Sequence, residues 1–532
     1  MGISSANFFR TNPYLKYAEE RPLASLIKSI ATVGSNTFLS RVLGLVRDLV
    51  FAHVFGANAN TDAFFVAFKI PNFMRRLFAE GAFSVAFVPV LSEYRAKRTF
   101  EELKAFVDRM AGTLSVGLFC VTVLGVVGAP VLVTIFAPGF IAKGESFDLA
   151  VDMLRLTFPY LMFISLVAFA GGILNAHNRF GVPAFTPVLL NISMISCALW
   201  LSPQMDTPIM ALAWGVLLAG MIQFVFQIPF LNKLRLLPRP QFAPKDEGVR
   251  RVGKLMIPAL FGVSVGQINL LLDTLIASLL TAGSISWLYY SDRLMEFPLG
   301  ILGVALGTVI LPSLSRKHAE ESPEDFSKTI DWALRWVLLL GLPAGIGLLV
   351  LAGPMNATLW YSAEFTAHDV EMATRSLMAY SLGLIGFILV KVLAPGFYAR
   401  QDTKTPVRIA IIAMVTNMAL NIMLVFPLAH AGLALATTLS AYLNAFLLFR
   451  ALRKEDVYQP AQGWLLLIVR GALGCAVMAG VLLWGTGDIE LWLSLTTWER
   501  IFRLTTWIGI GGTAYFAVLF LLGIRPRHFR SA

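Results

Sequence analysis

Arginines embedded in apolar sequence are the residues here most able to do chemistry. Arg41, Arg47 and Asp48 fall inside the apolar stretch 27–55, and Arg41 lies 13 residues past Lys28. At helical rise that is ~20 Å into a membrane, too deep for easy snorkelling. Arg41, Gly44 and Asp48 follow an i, i+3, i+7 pattern and share a helix face, the glycine leaving room beside the arginine for a large group. A second stretch begins at Asp62 and carries Lys69, Pro71, Asn72, Arg75, Arg76 and Glu80. Pro71 should kink it and free backbone polar groups, which are tolerated only against protein or a water-filled cavity. A third stretch holds Ser286, Asp292, Arg293 and Glu296. An arginine at mid-bilayer costs roughly 2.5–3.5 kcal/mol, so several facing lipid would be hard to keep; they must face a polar interior. Guanidinium forks match diphosphate oxygens bidentately. Arg41, Arg75 and Arg293, each the deep cation of its stretch, are the leading candidates, and the candidate substrate-binding set adds Arg47, Asp48, Asp62, Asn72, Ser286 and Glu296 to them. The competing reading is helix–helix glue, with the cations simply paired to Asp48, Asp62, Glu80, Asp292 and Glu296.

A second cluster is Asp273, Asn417, Asn421 and Thr437, with the two asparagines one helical turn apart. Oxygens from three neighbouring helices would suit Na⁺, or Asp273 would carry a proton. Interhelical hydrogen bonding is the alternative.

The elements that position these residues follow from composition. Of 532 residues, 57% are hydrophobic and 14% charged, with mean hydropathy +0.71, against roughly a quarter charged in soluble chains. Apolar runs of about 20 residues recur, each long enough to cross a ~30 Å hydrocarbon core. They segment into fourteen spans between Ile27 and Leu522, among them 62–93, 252–280, 406–426 and 431–452. Alternate loops carry the positive charge: Arg95, Lys97 and Arg98; Lys233, Arg235, Arg239 and Lys245; Arg316 and Lys317; Arg400 and Lys404; Arg450, Arg453 and Lys454; and a tail with Arg525, Arg527 and Arg530. The intervening loops hold almost none, which puts both termini in the cytoplasm. The net charge of +11 is thereby explained by loop positioning, and no nucleic-acid partner is expected. The first 26 residues lack an apolar core of their own and read as a cytoplasmic leader. Cys120, Cys197 and Cys475, far apart in apolar segments, read as small buried hydrophobes.

Sliding the sequence on itself by 223 residues pairs Pro89, Leu91 and Ser92 with Pro312, Leu314 and Ser315, and Ala176 and Pro183 with Ala399 and Pro406. Agreement on one offset predicts a six-span repeat, and six being even, two lobes of like orientation. The expected fold is an all-α polytopic membrane protein with fourteen transmembrane helices: two six-helix lobes related by a pseudo-twofold along the membrane normal, plus two C-terminal helices. The expected organisation is a leader at 1–26, an N-lobe at 27–231, a cytoplasmic linker at 232–251, a C-lobe at 252–452, and the last two helices with a cytoplasmic tail at 453–532.

Nothing resembles a nucleotide-binding loop, an HExxH helix or a Cys/His metal set, so energy would come from an ion gradient or the membrane potential. Ser40-Arg41-Val42-Leu43-Gly44 with Arg47-Asp48, Thr61-Asp62-Ala63-Phe64-Phe65, Pro71-Asn72 with Arg75-Arg76, and Phe78-Ala79-Glu80-Gly81-Ala82-Phe83 resemble the signature of the MurJ-type lipid II flippases of the MOP exporter superfamily. Asp292-Arg293-Leu294-Met295-Glu296-Phe297-Pro298 and Ala394-Pro395-Gly396-Phe397-Tyr398-Ala399-Arg400 extend the likeness into the second lobe. The resemblance implies a multi-pass protein of the bacterial cytoplasmic (inner) membrane. Such a protein moves lipid II, the undecaprenyl-diphosphate-linked peptidoglycan precursor, from the inner to the outer leaflet for cell-wall biogenesis. It implies a central cationic cavity carried over to Arg41, Arg47, Arg75 and Arg293, and a groove for the polyprenyl tail made by the last two spans. It also implies Na⁺ at Asp273, Asn417, Asn421 and Thr437, though a single carboxylate makes weak binding the expectation. A monomeric transporter, not an enzyme, is expected, with lipid II and membrane lipids as partners and no cofactor beyond Na⁺ or H⁺ as coupling ion. The alternatives are a related exporter of another lipid-linked oligosaccharide or of drugs, and a membrane enzyme acting on polyprenyl phosphates. A cationic-drug exporter should have acidic cavity walls, and an enzyme a metal-binding acidic cluster or a general base at a membrane face.

Overall fold

The computed structural model describes residues 23–525, with the side chains of a few positions, Glu80 among them, outside the described set. The leader before Leu23 and the tail arginines Arg527 and Arg530 also lie outside it. Every regular element among the described residues is helical. In order these are α1 (Leu23–Phe55), α2 (Ala59–Lys97), α3 (Phe100–Val127), the short α4 (Ala129–Phe136), α5 (Glu145–Ala176), α6 (Gly181–Gln204), α7 (Met210–Lys233) and α8 (Glu247–Ser278). There follow α9 (Ser284–Ala319), α10 (Pro323–Val350), α11 (Ala352–Leu359), α12 (Ala367–Tyr398), α13 (Lys404–Lys454), α14 (Trp464–Thr486), the short α15 (Ile489–Ser494) and α16 (Thr497–Leu521). Eleven of them are long and apolar enough to cross a membrane. α1 and α8, at 33 and 32 residues, match them in length. α13 is broken at Ala429 (φ 49, ψ −130), just after Pro427, so its two arms coincide with the expected spans 406–426 and 431–452.

Four of the long helices contain π-helical turns: Arg76–Phe83 in α2, Cys197–Leu201 in α6, Leu299–Gly303 in α9 and Val337–Gly341 in α10. Pro71 does not end α2; the helix runs through it and widens five residues after it. Several features recur at one spacing. α3 and α10 begin 223 positions apart and end 223 apart, as do α4 and α11. The π turns of α2 and α9 start 223 apart, and left-handed Asn178 (φ 62) and Gln401 (φ 61) close the turns after α5 and α12 at the same separation.

By internal contacts the chain forms two compact units. The first comprises the described residues up to Arg47, with Met74–Val126 and Leu156–Leu260. Its core interleaves Phe83, Phe87 and Leu91 of α2, Phe106 and Met110 of α3, and Phe169 and Ile173 of α5. The segment after α7 is strapped to α3. Arg239 N donates to Asp108 Oδ1 at 2.7 Å, Gln241 N to the Asp108 carbonyl at 3.0 Å, and Ala243 N to Thr113 Oγ1 at 3.1 Å. Gly112 lies under Gln241, where any Cβ would overlap the strap's backbone.

The second unit comprises Asp48–Phe73, Val127–Arg155 and the described residues from Phe261 onward. The segment after α13 is strapped to α10 at Asp331, whose Oδ1 accepts from Tyr458 Oη (2.8 Å), Ala461 N (3.1 Å) and Trp464 Nε1 (2.7 Å). Burial and the neighbouring Asp331 push the Tyr458 hydroxyl's pKa up, which keeps it a donor. Asp108 and Asp331 are themselves 223 positions apart. α16 is tied back by Tyr515 Oη to the Leu339 carbonyl (2.8 Å) and Arg500 Nη1 to the Ala357 carbonyl (2.8 Å). Its Phe502 and Phe520, with Leu465 and Leu483 of α14, are exposed, as apolar side chains facing lipid would be.

One expectation fails. Cys197 and Cys475 are buried, but Cys120 is exposed on α3 beside exposed Val116, Phe119 and Val123. In lipid an apolar thiol gains nothing from turning inward, because acyl chains are as good a solvent as the core.

Candidate functional site: cations, latch and oxygen cluster

In the first unit α1 presents its polar residues to α6. Ser40, Gly44 and Arg47 fall at i, i+4 and i+7 and so share a face. Arg47 is 7% exposed, and its Nη1 donates to Asn191 Oδ1 at 3.1 Å. The Asn191 Nδ2 donates in turn to the Ser40 carbonyl at 3.0 Å. Gly44 packs toward the same amide. Arg41 is exposed and makes no ion pair among the described residues. Arg75 is half-buried at the last residue before the π turn of α2. π turns recur at functional sites because the widened backbone leaves carbonyls without their usual partner.

In the second unit Asp48 is 2% exposed and occupied on both oxygens: Tyr289 Oη donates to Oδ1 at 2.8 Å, and Arg293 Nε lies 3.2 Å from Oδ2. Arg293 also pairs with Glu296 at 2.7 Å, and its guanidinium covers the Tyr289 ring at 5.1 Å, which itself stacks on Phe65 at 4.0 Å. Asp48, Arg293 and Glu296 are thus one network. For Arg293 the pairing expected of helix–helix glue is present. Asn72, half-buried, follows Pro71 on α2.

Asp62 and Ser286 are brought together, each buried, Asp62 at 2% exposure. Asp62 Oδ2 accepts from Gly283 N at 2.7 Å; Oδ1 accepts from Ser286 N at 2.8 Å and Ser286 Oγ at 2.6 Å. These are the first donors of α9, where the helix dipole favours an anion. Gly283 takes φ 95, a left-handed conformation suited to glycine. Asp62 and Ser286 therefore spend their polar atoms on each other.

The oxygen cluster also assembles. Asn421 Nδ2 donates to Asp273 Oδ1 (2.8 Å) and to Asn417 Oδ1 (3.0 Å). Asn417 Nδ2 lies 3.3 Å from Thr437 Oγ1, which is 3.5 Å from Asp273 Oδ2. Asn421 Oδ1 is buried without a hydrogen-bond partner, an acceptor that a small cation would satisfy. The oxygens, with one carboxylate among them, are chemically fit for Na⁺ and poorly fit for a divalent ion, while the two amide nitrogens bond three of those oxygens to one another.

Sequence reasoning missed Asn191 and Tyr289. Tyr289 stands one turn before Arg293 and was findable by i, i+4 spacing. Asn191 had only its polarity in an apolar run as a signal.

The family model described as "Lipid II flippase MurJ" matches residues 51–502. The chain belongs to the lipid II flippase MurJ family. It is 51% identical over 515 residues to the probable lipid II flippase MurJ of Vibrio cholerae, covering 95% of this chain and 98% of that one. It is 43% identical to the lipid II flippase MurJ of Burkholderia cenocepacia, over 95% and 99% of the two chains. Among solved structures it is similar to "Lipid II flippase MurJ, inward closed conformation", with TM-score 0.75 and 27% identity over 92% of this chain and 99% of that one. An inward-facing multidrug transporter of the MATE family shares the fold at TM-score 0.66 and 14% identity.

Proposed function

We propose that the protein is a lipid II flippase, moving the undecaprenyl-diphosphate-linked peptidoglycan precursor from the inner to the outer leaflet of the bacterial cytoplasmic membrane. The observation that carries this reading, beside family membership, is α1: a buried Arg47 oriented by an amide, and an exposed Arg41 on the same membrane-length helix. Such cations hold a diphosphate while the polyprenyl tail stays in lipid.

The chain crosses the membrane fourteen times, counting α1, α8 and both arms of α13 with the other long helices, and both termini are cytoplasmic. Two six-helix lobes related by a twofold along the membrane normal form the transporter, and α14 and α16 add a flank for the tail. The 223-residue recurrence of helix ends, π turns and left-handed turns supports the two-lobe plan. Transport proceeds by alternating access in a monomer, without chemical catalysis or nucleic acid.

Within this reading the contact of Asp62 with the first turn of α9 is a latch that holds the outer side shut. Arg41, Arg47, Arg75 and Arg293 are the headgroup's ligands in this reading, and Asn72 and Glu296 line the route. Asp273, Asn417, Asn421 and Thr437 would hold Na⁺, coupling a gradient or the membrane potential to the cycle; the stranded Asn421 oxygen supports this. The test is complementation: Arg41→Ala and Arg293→Ala, at normal membrane level, should fail to support growth of cells depleted of their own flippase. Normal growth would remove the diphosphate-binding role.

A further inference from the structure

Asn191 sits in an apolar run of α6, between Leu190 and Ile192, and is 5% exposed. Both ends of its amide are used by α1. The oxygen accepts from Arg47 Nη1 at 3.1 Å, and the nitrogen donates to the carbonyl of Ser40 at 3.0 Å, the residue before Arg41. The two contacts fix the amide's sense. Turned by 180°, it would set NH₂ against guanidinium NH and oxygen against a carbonyl oxygen.

We infer that Asn191 is a positioning residue for substrate recognition: it aims the Arg47 guanidinium and fixes the α1 backbone beside Arg41, while adding no negative charge of its own. This rests on reading Arg47 as a diphosphate ligand. The choice of amide over carboxylate has a physical reason. Aspartate would hold Arg47 more strongly but would offset its charge, and its second oxygen would face the Ser40 carbonyl without a proton between them. Alanine would keep the charge and lose the aim. Arg293, held by Asp48 and Glu296, shows the carboxylate solution on the other unit.

The test uses the full chain purified in detergent and undecaprenyl diphosphate as probe. Affinity is measured for wild type, N191A, N191D, R47A and the N191A/R47A double variant, with unfolding midpoints alongside. N191A should bind about ten-fold more weakly, as expected for loss of a hydrogen bond to a charged group. N191D should bind more weakly than N191A, although it preserves side-chain volume. On the R47A background N191A should have a clearly smaller effect, the part carried by the guanidinium being gone and only the bond to the Ser40 carbonyl left to lose. Wild-type binding by N191A or N191D, with R47A weak, would overturn the inference. So would an N191A loss undiminished in the R47A background, which would mark packing alone. If N191A does not survive extraction, N191D carries the comparison, and wild-type binding by it counts against the proposal. Unimpaired binding by R47A would instead sink the diphosphate reading, and this inference with it.

Discussion

A carboxylate on the first donors of a helix is a different device from a carboxylate on an arginine. Asp62 accepts from two backbone N–H groups and a hydroxyl, all within the first turn of α9. In Asp62→Asn one oxygen becomes a donor that faces donors, a mismatch worth about 1–3 kcal/mol. That variant should raise, several-fold, the labelling of a Phe65→Cys reporter by an impermeant maleimide added to whole cells. Unchanged labelling would mean Asp62 holds nothing shut. Asp273→Asn should lower any Na⁺ response of transport, because the one carboxylate of the cluster is lost; an unaltered response would leave the cluster as packing. What was legible at this scale was residue type. Arg41, Arg47, Arg75 and Arg293 stand out in apolar sequence because their cost there is high. Their partners did not stand out. Backbone donors such as Gly283 N have no letter in a sequence, and the Asn191–Arg47 contact spans 144 positions without any periodicity to reveal it.

At the scale of elements, most helices were legible because apolar runs and basic loops mark their ends. Span 252–280, for example, became Glu247–Ser278. The π turns were not, since no spacing rule announces them. The straps lie between. As sequence they were only charged loops, yet the offset that aligned Pro89 with Pro312 also aligns Asp108 with Asp331, and that identity was available to be read. Each aspartate accepts backbone hydrogen bonds from the segment that follows a long helix, Arg239 N for Asp108 and Ala461 N for Asp331. Asp108→Ala and Asp331→Ala should each destabilise the protein by about 1–3 kcal/mol. Their effects should add, since each strap belongs to its own compact unit. Unfolding midpoints in detergent for the two single variants and the double variant measure this. A double variant no worse than either single one would contradict independent straps.

For the whole molecule, the positive-inside pattern makes a sharp prediction. Asp206, exposed between α6 and α7, and Lys404, exposed at the start of α13, should lie on opposite sides of the membrane. With Cys120 replaced, Asp206→Cys should react with an impermeant thiol reagent in intact cells, and Lys404→Cys only after permeabilisation. The reverse pattern would invert the topology. Ion pairs between partly exposed side chains, such as Arg293 with Glu296, weaken as salt rises, but a buried carboxylate on helix-end N–H groups is screened far less. A bacterium does not set the ionic strength outside its cytoplasmic membrane. A closure built this way should stay equally tight in dilute and in briny surroundings, leaving the barrier's leak independent of habitat.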